Sequence, residues 1–454
     1  MNNHPLNNLI DYHKQGFPVG LYSVCSANPF VLKAAMLQAR EKHSLLLIES
    51  TSNQVDQLGG YTGLKPADFK QMVFNLAAET GYAPQGLILG GDHLGPNRWQ
   101  NLPASEAMQL AGEQVAAYVK AGFSKIHLDT TMALADDSLD EQGRLAHEII
   151  ARRSAELCAV AEKTFRETPN LPFAPLYVIG SDVPPPGGAH QNLKEIRVTP
   201  VEEVRAALES TYQAFKKKGL EAVWPRVRAV VVQPGVEFDH QQVFDYQRES
   251  GAHLSHFIEG QTQFVYEAHS TDYQLAESLR QMVEDHFVFL KVGPALTFAL
   301  REALFALSFI EKELLALNKN LQPSGLMETL EQAMLANPQH WQKHYRGSPQ
   351  ERRLARQFSF SDRIRYYWPD RSVRQAIARL IKNLNSTAIP LTLLSQFLPD
   401  AYRSVRRNEL ENQPEAIILH KIQTVLEDYL FATGAESSQK FISKNQDHLM
   451  MEHL

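Results

Sequence analysis

Two pairs of acidic and histidine residues have the types that metal-assisted proton transfer requires. Asp92 and His93 follow two glycines at the end of the apolar run Gly86–Asp92. Glu267 and His269 are separated by one residue, so in a strand both side chains lie on the same face. A buried pair of this kind needs a partner charge, and a divalent cation suits both groups. The alternative is that these side chains only hydrogen-bond to neighbouring loops.

Other apolar runs add compatible groups. His127 and Asp129 repeat the one-residue spacing, Glu237 follows the sixth run, and Lys291 lies in the last. Histidine and carboxylate ligands fit zinc, manganese or nickel. Lys291 is interpreted as an ion-pair partner of Glu267 or Asp129, with a Schiff-base lysine as the alternative. The expected metal ligands are His93, Glu237, Glu267 and His269, and the expected proton-transfer groups are Asp92 and Asp129.

Two glycine-containing segments are candidate phosphate sites. Gly187 and Gly188 follow the fifth run, and Gly293 precedes a predicted helix that starts near Ala295. The free amides and the dipole at the start of a helix favour an anion. No Gly-x-x-x-x-Gly-Lys-Ser/Thr segment occurs, which counts against a P-loop kinase.

Eight short apolar runs, seven of them separated by helix-length segments, position these residues. Alternating strands and helices pair in parallel, so eight units predict a closed (β/α)8 TIM-type barrel, expected over residues 1–317. Chemistry in this fold lies at the C-terminal ends of the strands, where the candidate residues should converge. The runs are Gly20–Ala27, Leu45–Ser50, Gly86–Asp92, Lys125–Thr130, Leu176–Ser181, Ala229–Gln233, Phe264–His269 and Phe289–Gly293.

A helical pattern without strand alternation predicts a C-terminal α-helical extension over residues 326–431. It contains the basic and aromatic cluster Arg363–Asp370. The aromatic residues are interpreted as packing against the barrel, while the arginines face carboxylates or water. The alternative is an RNA or phosphate site. Residues 432–454 lack periodicity and are expected to form a disordered tail.

The bulk composition limits the class of protein. The chain has 454 residues with 45 basic and 51 acidic side chains, a net charge of -6, which gives no electrostatic argument for nucleic acid or membrane. Two cysteines exclude a disulfide framework and favour the cytoplasm. Neither a signal peptide nor an uninterrupted membrane-spanning stretch is visible.

Six segments resemble the accessory (Z) subunit of class II D-tagatose-1,6-bisphosphate aldolase, the GatZ/KbaZ family. The resemblance extends over residues 7 to 431 and includes Arg365–Pro369. The segments are Tyr22–Ala27, Glu49–Gln57, Gly90–Trp99, Val232–His240, Glu267–Gln274 and Lys291–Thr297.

The resemblance implies a barrel protein in carbohydrate metabolism. Family members are described as non-catalytic, chaperone-like partners of a zinc-dependent catalytic (Y) subunit. That subunit acts on a sugar phosphate in tagatose 6-phosphate degradation, within galactitol or N-acetylgalactosamine catabolism. Similar chains carry the label tagatose-6-phosphate kinase, and other relatives are metal-dependent 4-epimerases of ketohexoses or their 6-phosphates. The first expectation is therefore an accessory subunit, the second an epimerase and the third a kinase.

The resemblance also implies roles for individual residues. Asp92 and His93 lie where a class II aldolase carries its general acid and a zinc ligand, and His269 is similar to a later zinc histidine. Neither His127 nor Glu237 matches the remaining zinc histidine. The resemblance therefore does not imply aldolase activity for this chain alone.

Overall fold

The computed structural model describes residues 3–141, 143–180, 196–315 and 322–434. Eight parallel strands form a closed barrel, which confirms the predicted fold. Its strand order is β1-β10-β9-β6-β5-β4-β3-β2, and β7 and β8 form an antiparallel hairpin outside it. The strands are β1 Leu21–Val24, β2 Leu46–Thr51, β3 Leu87–Leu94, β4 Lys125–Leu128, β5 Leu176–Gly180, β6 Val227–Val232, β7 Glu237–Phe238, β8 Val243–Phe244, β9 Val265–Ala268 and β10 Phe287–Val292.

Helices surround the barrel and continue beyond it. The α-helices are α1 Pro5–Lys14, α2 Pro29–Glu41, α3 Pro66–Thr80, α4 Ala104–Ala121, α5 His147–Glu167, α6 Val201–Lys217, α7 Arg248–Glu259, α8 Ala276–Glu284, α9 Pro294–Leu315, α10 Leu326–Ala336, α11 Pro349–Phe358, α12 Arg371–Asn385, α13 Leu391–Phe397, α14 Pro399–Arg406 and α15 Pro414–Thr433. Short 3₁₀ helices span Pro84–Gly86, Pro96–Trp99, Glu221–Arg226, Pro338–His340 and Arg363–Tyr367. None of the helices described is long and apolar enough to cross a membrane.

The barrel interior changes from apolar to charged along the strand direction. Leu47, Val265 and Phe289 contribute to an apolar cluster inside the barrel. Two residues later on the same strands stand Glu49, Glu267 and Lys291, which share the inward face because side chains alternate along a strand. The apolar layer therefore supports a layer of charged side chains nearer the C-terminal ends.

Helix α1 packs against the apolar cluster inside the barrel. Leu6, Leu9 and Ile10 are buried at helical spacing and join that cluster. This helix was not predicted, because three apolar residues among polar ones give only a short amphipathic pattern. His4 is the N-cap residue before this helix, and its side chain accepts a hydrogen bond from the Leu6 amide.

The C-terminal helices α10 to α15 occupy Leu326 to Thr433 and pack on the barrel helices. Helix α15 lies against α2, α8 and α9. The Tyr429 hydroxyl donates to the Thr271 carbonyl at 2.8 Å, and the Gly20 amide donates to the Thr433 carbonyl at 3.1 Å. This extension therefore reaches both a residue following β9 and one preceding β1. Residues 435–454, the greater part of the expected tail, lie outside the described residues.

Candidate metal centre

Four buried side chains at the C-terminal end of the barrel form a group that fits a metal ion. One donor atom from each of Asp92, His127, Glu267 and His269 lies within 4.8 Å of the others, and all four residues are buried. We call this set the four-ligand group. It contains two of the expected ligands, Glu267 and His269, together with Asp92, which was expected to transfer a proton. His127 was considered from its spacing but was not among the expected ligands.

The His127 ring has a hydrogen-bonding pattern that a bound cation would complete. Its Nδ1 lies 3.2 Å from Asp92 Oδ1 and 3.2 Å from the His93 amide nitrogen. In the tautomer with the hydrogen on Nδ1, this nitrogen donates to Asp92 and a lone pair is left on Nε2. Its buried Nε2 has no hydrogen-bond partner among the described residues. Two imidazoles and two carboxylates are a donor set that suits zinc, manganese or nickel, so the residues present fit a divalent metal.

The charged side chains around the four-ligand group carry a net negative charge that a cation would balance. Lys125 Nζ lies 2.6 Å from Glu49 Oε1 and 2.5 Å from Glu267 Oε2. Lys291 Nζ lies 2.8 Å from Asp92 Oδ1, 3.7 Å from Glu267 Oε1, and in close contact with Glu49 Oε2. Three carboxylates therefore face two ammonium groups, which leaves one excess negative charge.

The ionisation of Lys291 and His269 is consistent with this charge balance. Burial lowers the pKa of Lys291, but the surrounding carboxylates outweigh it and hold that pKa well above its usual value. A Schiff-base lysine must be neutral to attack a carbonyl, so the environment favours the ion-pair interpretation. Burial lowers the pKa of His269 to about 3, which keeps this imidazole neutral as a metal ligand requires.

His93 lies beside the four-ligand group and pairs with Asp129. Its Nδ1 is 2.8 Å from Asp129 Oδ2, and its ring centroid is 4.7 Å from that of His269. Burial lowers the pKa of His93, but the charges of Asp92 and Asp129 outweigh it and raise that pKa above its usual value. The pKa of Asp129 lies well below its usual range, because its hydrogen bond and charge interaction with His93 outweigh the effect of burial. This pair can exchange a proton with a ligand while Asp129 stays ionised.

Glu237 lies on the hairpin strand β7 and outside the four-ligand group. Its Oε1 accepts a hydrogen bond from the Phe238 amide at 3.0 Å, and its carboxyl also hydrogen-bonds to Ser270. Burial raises its pKa to about 7. The structure therefore places this candidate ligand among loop contacts rather than with the other carboxylates.

The amides near Gly293 are already hydrogen-bonded to a carboxylate. The amides of Gly293 and Ala295 donate to Asp272 Oδ1 at 2.9 and 2.8 Å. A side chain of this protein thus takes the place expected for a phosphate at the start of α9. The other candidate phosphate residues, Gly187 and Gly188, lie outside the described residues.

A cavity of about 290 Å³ opens above the four-ligand group. Asp92, His93, His269 and Lys291 line it from the barrel. The C-terminal extension contributes a different set of lining residues, which are Arg365, Tyr366, Trp368, Pro369 and Arg374. The cluster Arg363–Asp370 therefore does more than pack, because part of it forms a wall of the cavity.

Sequence reasoning missed Glu49 and Lys125, which join the charged layer. Lys125 is fully buried and lies next to Gly90 in the strand register, and Gly90 in turn pairs with Glu49. The available signal was a charged residue within or at the start of an otherwise apolar run. Such a residue in a fully buried strand needs a partner charge.

Comparison with known proteins identifies the family. The family described as D-tagatose-1,6-bisphosphate aldolase subunit GatZ/KbaZ-like matches residues 6–434. A solved structure of a probable tagatose 6 phosphate kinase from Sinorhizobium meliloti 1021 is 42% identical, with a TM-score of 0.81 over 91% of this chain and 100% of that one. Fructose-bisphosphate aldolase from Campylobacter jejuni is 14% identical, with a TM-score of 0.40 over 84% of this chain and 92% of that one. That second likeness is too low to support an argument. The chain belongs to the GatZ/KbaZ-like family of D-tagatose-1,6-bisphosphate aldolase subunits.

Proposed function

We propose that this chain is a metal-dependent 4-epimerase of a ketohexose or a ketohexose 6-phosphate. The single observation that carries the proposal is the four-ligand group, buried at the base of a cavity that His93 and Lys291 also line. A protein that served only as a scaffold would not need two imidazoles and two carboxylates within one metal's reach. Membership of an aldolase-subunit family supports chemistry at a carbon–carbon bond of a sugar phosphate.

Epimerisation at C4 by retro-aldol cleavage needs a base, an acid and stabilisation of negative charge. In the neutral form, His93 Nε2 takes the C4 hydroxyl proton while Asp129 holds the Nδ1 hydrogen. The C3–C4 bond then breaks, its electrons form an enediolate at C2 and C3, and C4 becomes an aldehyde. A divalent cation held by the four-ligand group would stabilise that negative charge.

The reverse steps complete the reaction without any net oxidation. The aldehyde rotates, C3 attacks its opposite face, and His93 returns the proton to the C4 oxygen. Burial raises the pKa of Asp92, but the charges of His93 and Lys291 outweigh it and hold that pKa well below its usual value, so the carboxylate stays ionised.

The test uses NMR to monitor the interconversion of D-tagatose 6-phosphate and D-fructose 6-phosphate in the presence of added zinc, manganese or nickel. Asp129→Asn should lower kcat by roughly 10²- to 10⁴-fold, the usual contribution of a positioned acid–base group. His127→Ala should reduce the bound metal measured by elemental analysis, whereas the exposed His256→Ala should change neither quantity. Absence of interconversion with all three metals would refute the epimerase proposal.

The family description favours a second candidate, in which the chain is a non-catalytic accessory subunit. Its partner would be the catalytic (Y) subunit of tagatose-bisphosphate aldolase in galactitol or N-acetylgalactosamine catabolism, within the cytoplasm. A partner that binds only the folded form of that subunit stabilises it by mass action. This role requires no intact metal site in the chain itself.

Half-lives of the catalytic subunit test the accessory role. Its activity should be lost more slowly when this chain is present, and His127→Ala should protect equally well if the role is purely structural. Equal half-lives with and without the chain would count against it.

The name of the S. meliloti relative suggests a third activity, ATP-dependent phosphorylation of tagatose 6-phosphate. ADP release from ATP and that sugar phosphate would support it, although the sequence contains no P-loop motif.

A further inference from the structure

Arg365 is a partly buried guanidinium that is within ion-pair distance of none of the described carboxylates. Its nitrogens donate to the carbonyls of Ser361 and Asp362 and to the Tyr366 hydroxyl, the last two at 3.2 Å. None of the described carboxylates lies within 4.0 Å of it. The nearby Asp362 carboxylate is instead held by Arg301 Nε at 3.1 Å and by the Thr297 hydroxyl at 2.7 Å.

A buried charge is normally paired, because removal from water is costly without compensation. Arg365 differs in this respect from Arg98, which forms an ion pair with Asp56. It also differs from Arg356, whose Nε lies 3.2 Å from Glu331 Oε1. The Asp362 and Asp272 carboxylates interact with Arg365 only at longer range, so a partner in direct contact would have to be water or a bound anion.

Arg365 lines the same cavity as the four-ligand group. Tyr366 and Arg374 form part of the same wall, and Asn53 and Tyr61 line it from the loop after β2. Burial raises the pKa of the Tyr366 phenol, but the positive charges of Arg365 and Arg363 outweigh it and lower that pKa below its usual value. The wall therefore carries a positive potential next to hydroxyl and amide donors.

We propose that Arg365, with Tyr366 and Arg374, forms a subsite for the terminal phosphate of the sugar that reaches the four-ligand group. A guanidinium presents a planar set of N–H donors that matches a phosphate. The start of α9 is a poorer place for that phosphate, because Asp272 already accepts from the Gly293 and Ala295 amides. The C-terminal extension thus supplies the anion recognition and the barrel supplies the reacting groups. This subsite extends the proposed function by assigning the substrate class as phosphorylated ketohexoses.

The test compares binding of three probes to the full chain by calorimetry: D-tagatose 6-phosphate, D-tagatose and inorganic phosphate. The wild-type chain should bind the phosphorylated sugar at least tenfold more tightly than the free sugar. Arg365→Met should remove that preference and weaken inorganic phosphate binding, while affinity for D-tagatose stays within twofold. Arg365→Lys keeps the charge but loses the planar fork, and it should retain an intermediate preference.

Arg371→Met is the matched control, because Arg371 is an exposed arginine at the start of α12. It should leave all three affinities unchanged. An unchanged preference in Arg365→Met would overturn the subsite. If that variant does not fold, an Arg365→Lys protein with wild-type affinity for all three probes overturns it equally.

Binding measurements on Arg365→Met and the interconversion assay can give independent results. Arg365-dependent binding of D-tagatose 6-phosphate without any interconversion supports the subsite and refutes the epimerase. Interconversion with undiminished phosphate preference in Arg365→Met supports the epimerase and refutes the subsite.

Discussion

Gly90, which has no side chain, leaves space for the Glu49 carboxylate that contacts the two buried lysines. Gly90 and Glu49 are partners in the register of β3 and β2. A Cβ atom at Gly90 would overlap Oε1, Cγ and Cδ of Glu49. The Glu49 carboxylate contacts both Lys125 and Lys291, so the space over Gly90 determines where both ammonium groups lie. A glycine within β3 thus controls the charge arrangement beneath the four-ligand group.

We predict that Gly90→Ala lowers the free energy of unfolding by about 1–3 kcal/mol, the usual cost of overpacking a buried site. It should also weaken metal binding, because Lys291 shifts with Glu49. Urea unfolding and equilibrium dialysis against zinc measure the two effects. Gly112→Ala in α4 is the control, since its Cβ would meet only Val160 Cγ2 at 3.7 Å. An unchanged midpoint and metal affinity in Gly90→Ala would contradict the prediction.

Among the elements, helix α1 depends on neutral histidines for its attachment to the barrel. His13 Nδ1 donates to the Val19 carbonyl at 2.7 Å, and its Nε2 lies 2.8 Å from His286 Nδ1. Because a carbonyl can only accept, Nε2 of His13 must accept the hydrogen of His286. Burial lowers the pKa of His4, His13 and His286 to about 4 in each case. Protonation would place two N–H groups opposite each other and would break this contact.

The sign of the pH effect follows from these lowered pKa values. Between about pH 6.5 and pH 4 the unfolded chain binds more protons at these histidines than the folded chain, so stability falls as the pH falls. The upper limit is about 3 kcal/mol each for the buried His4 and His13. The contribution of the partly exposed His286 is smaller, because solvent screens its charge.

We predict that His13→Gln makes the unfolding free energy less dependent on pH across this window. Urea unfolding at pH 7, 5.5 and 4.5 measures it. The exposed His256→Gln should keep the wild-type slope. A His13→Gln protein that loses as much stability on acidification as the wild type would disprove the assignment.

For the whole molecule, the barrel and the C-terminal extension form one functional unit. Helix α15 covers surfaces of α2, α8 and α9 with buried side chains such as Ile418, Ile422 and Leu426. Arg301 of α9 pairs with Asp362, which precedes the 3₁₀ helix that carries Arg365. The extension therefore covers apolar surface and positions a cavity wall at the same time.

We predict that a chain ending at residue 325 is insoluble or lacks a cooperative thermal transition. Loss of α15 alone exposes several apolar side chains, each of which stabilises the folded state by about 1.5–3 kcal/mol when buried. A chain ending at Gly434 should instead unfold within about 2 °C of the full chain, in keeping with the tail expected from the sequence. Differential scanning calorimetry compares the three chains. A soluble 1–325 protein with a full-length transition temperature would contradict this prediction.

The candidate site was only partly predictable from sequence. Glu267 and His269 were chosen because strand periodicity places them on one face, and both belong to the four-ligand group. His127 offers the same spacing with Asp129, but only the bend at Asp92 and His93 decides which histidine faces the group. His93 has a φ of 50°, in the left-handed region, which no periodicity argument anticipates. The assignment of metal-binding and proton-transfer roles to individual residues of this site therefore stays a proposal.

Strand and helix alternation, and with it the closed barrel, followed from the chain alone, because apolar periodicity and turn residues are local properties. The pairing of Lys125 with Glu49 and Glu267 required the folded barrel, since these charges come from three strands distant in sequence. The same holds for Arg365, whose place in the cavity wall arises only when the C-terminal helices pack across the barrel. Residues that are distant in sequence come into contact only when the whole core packs, so no short segment of the sequence predicts these contacts.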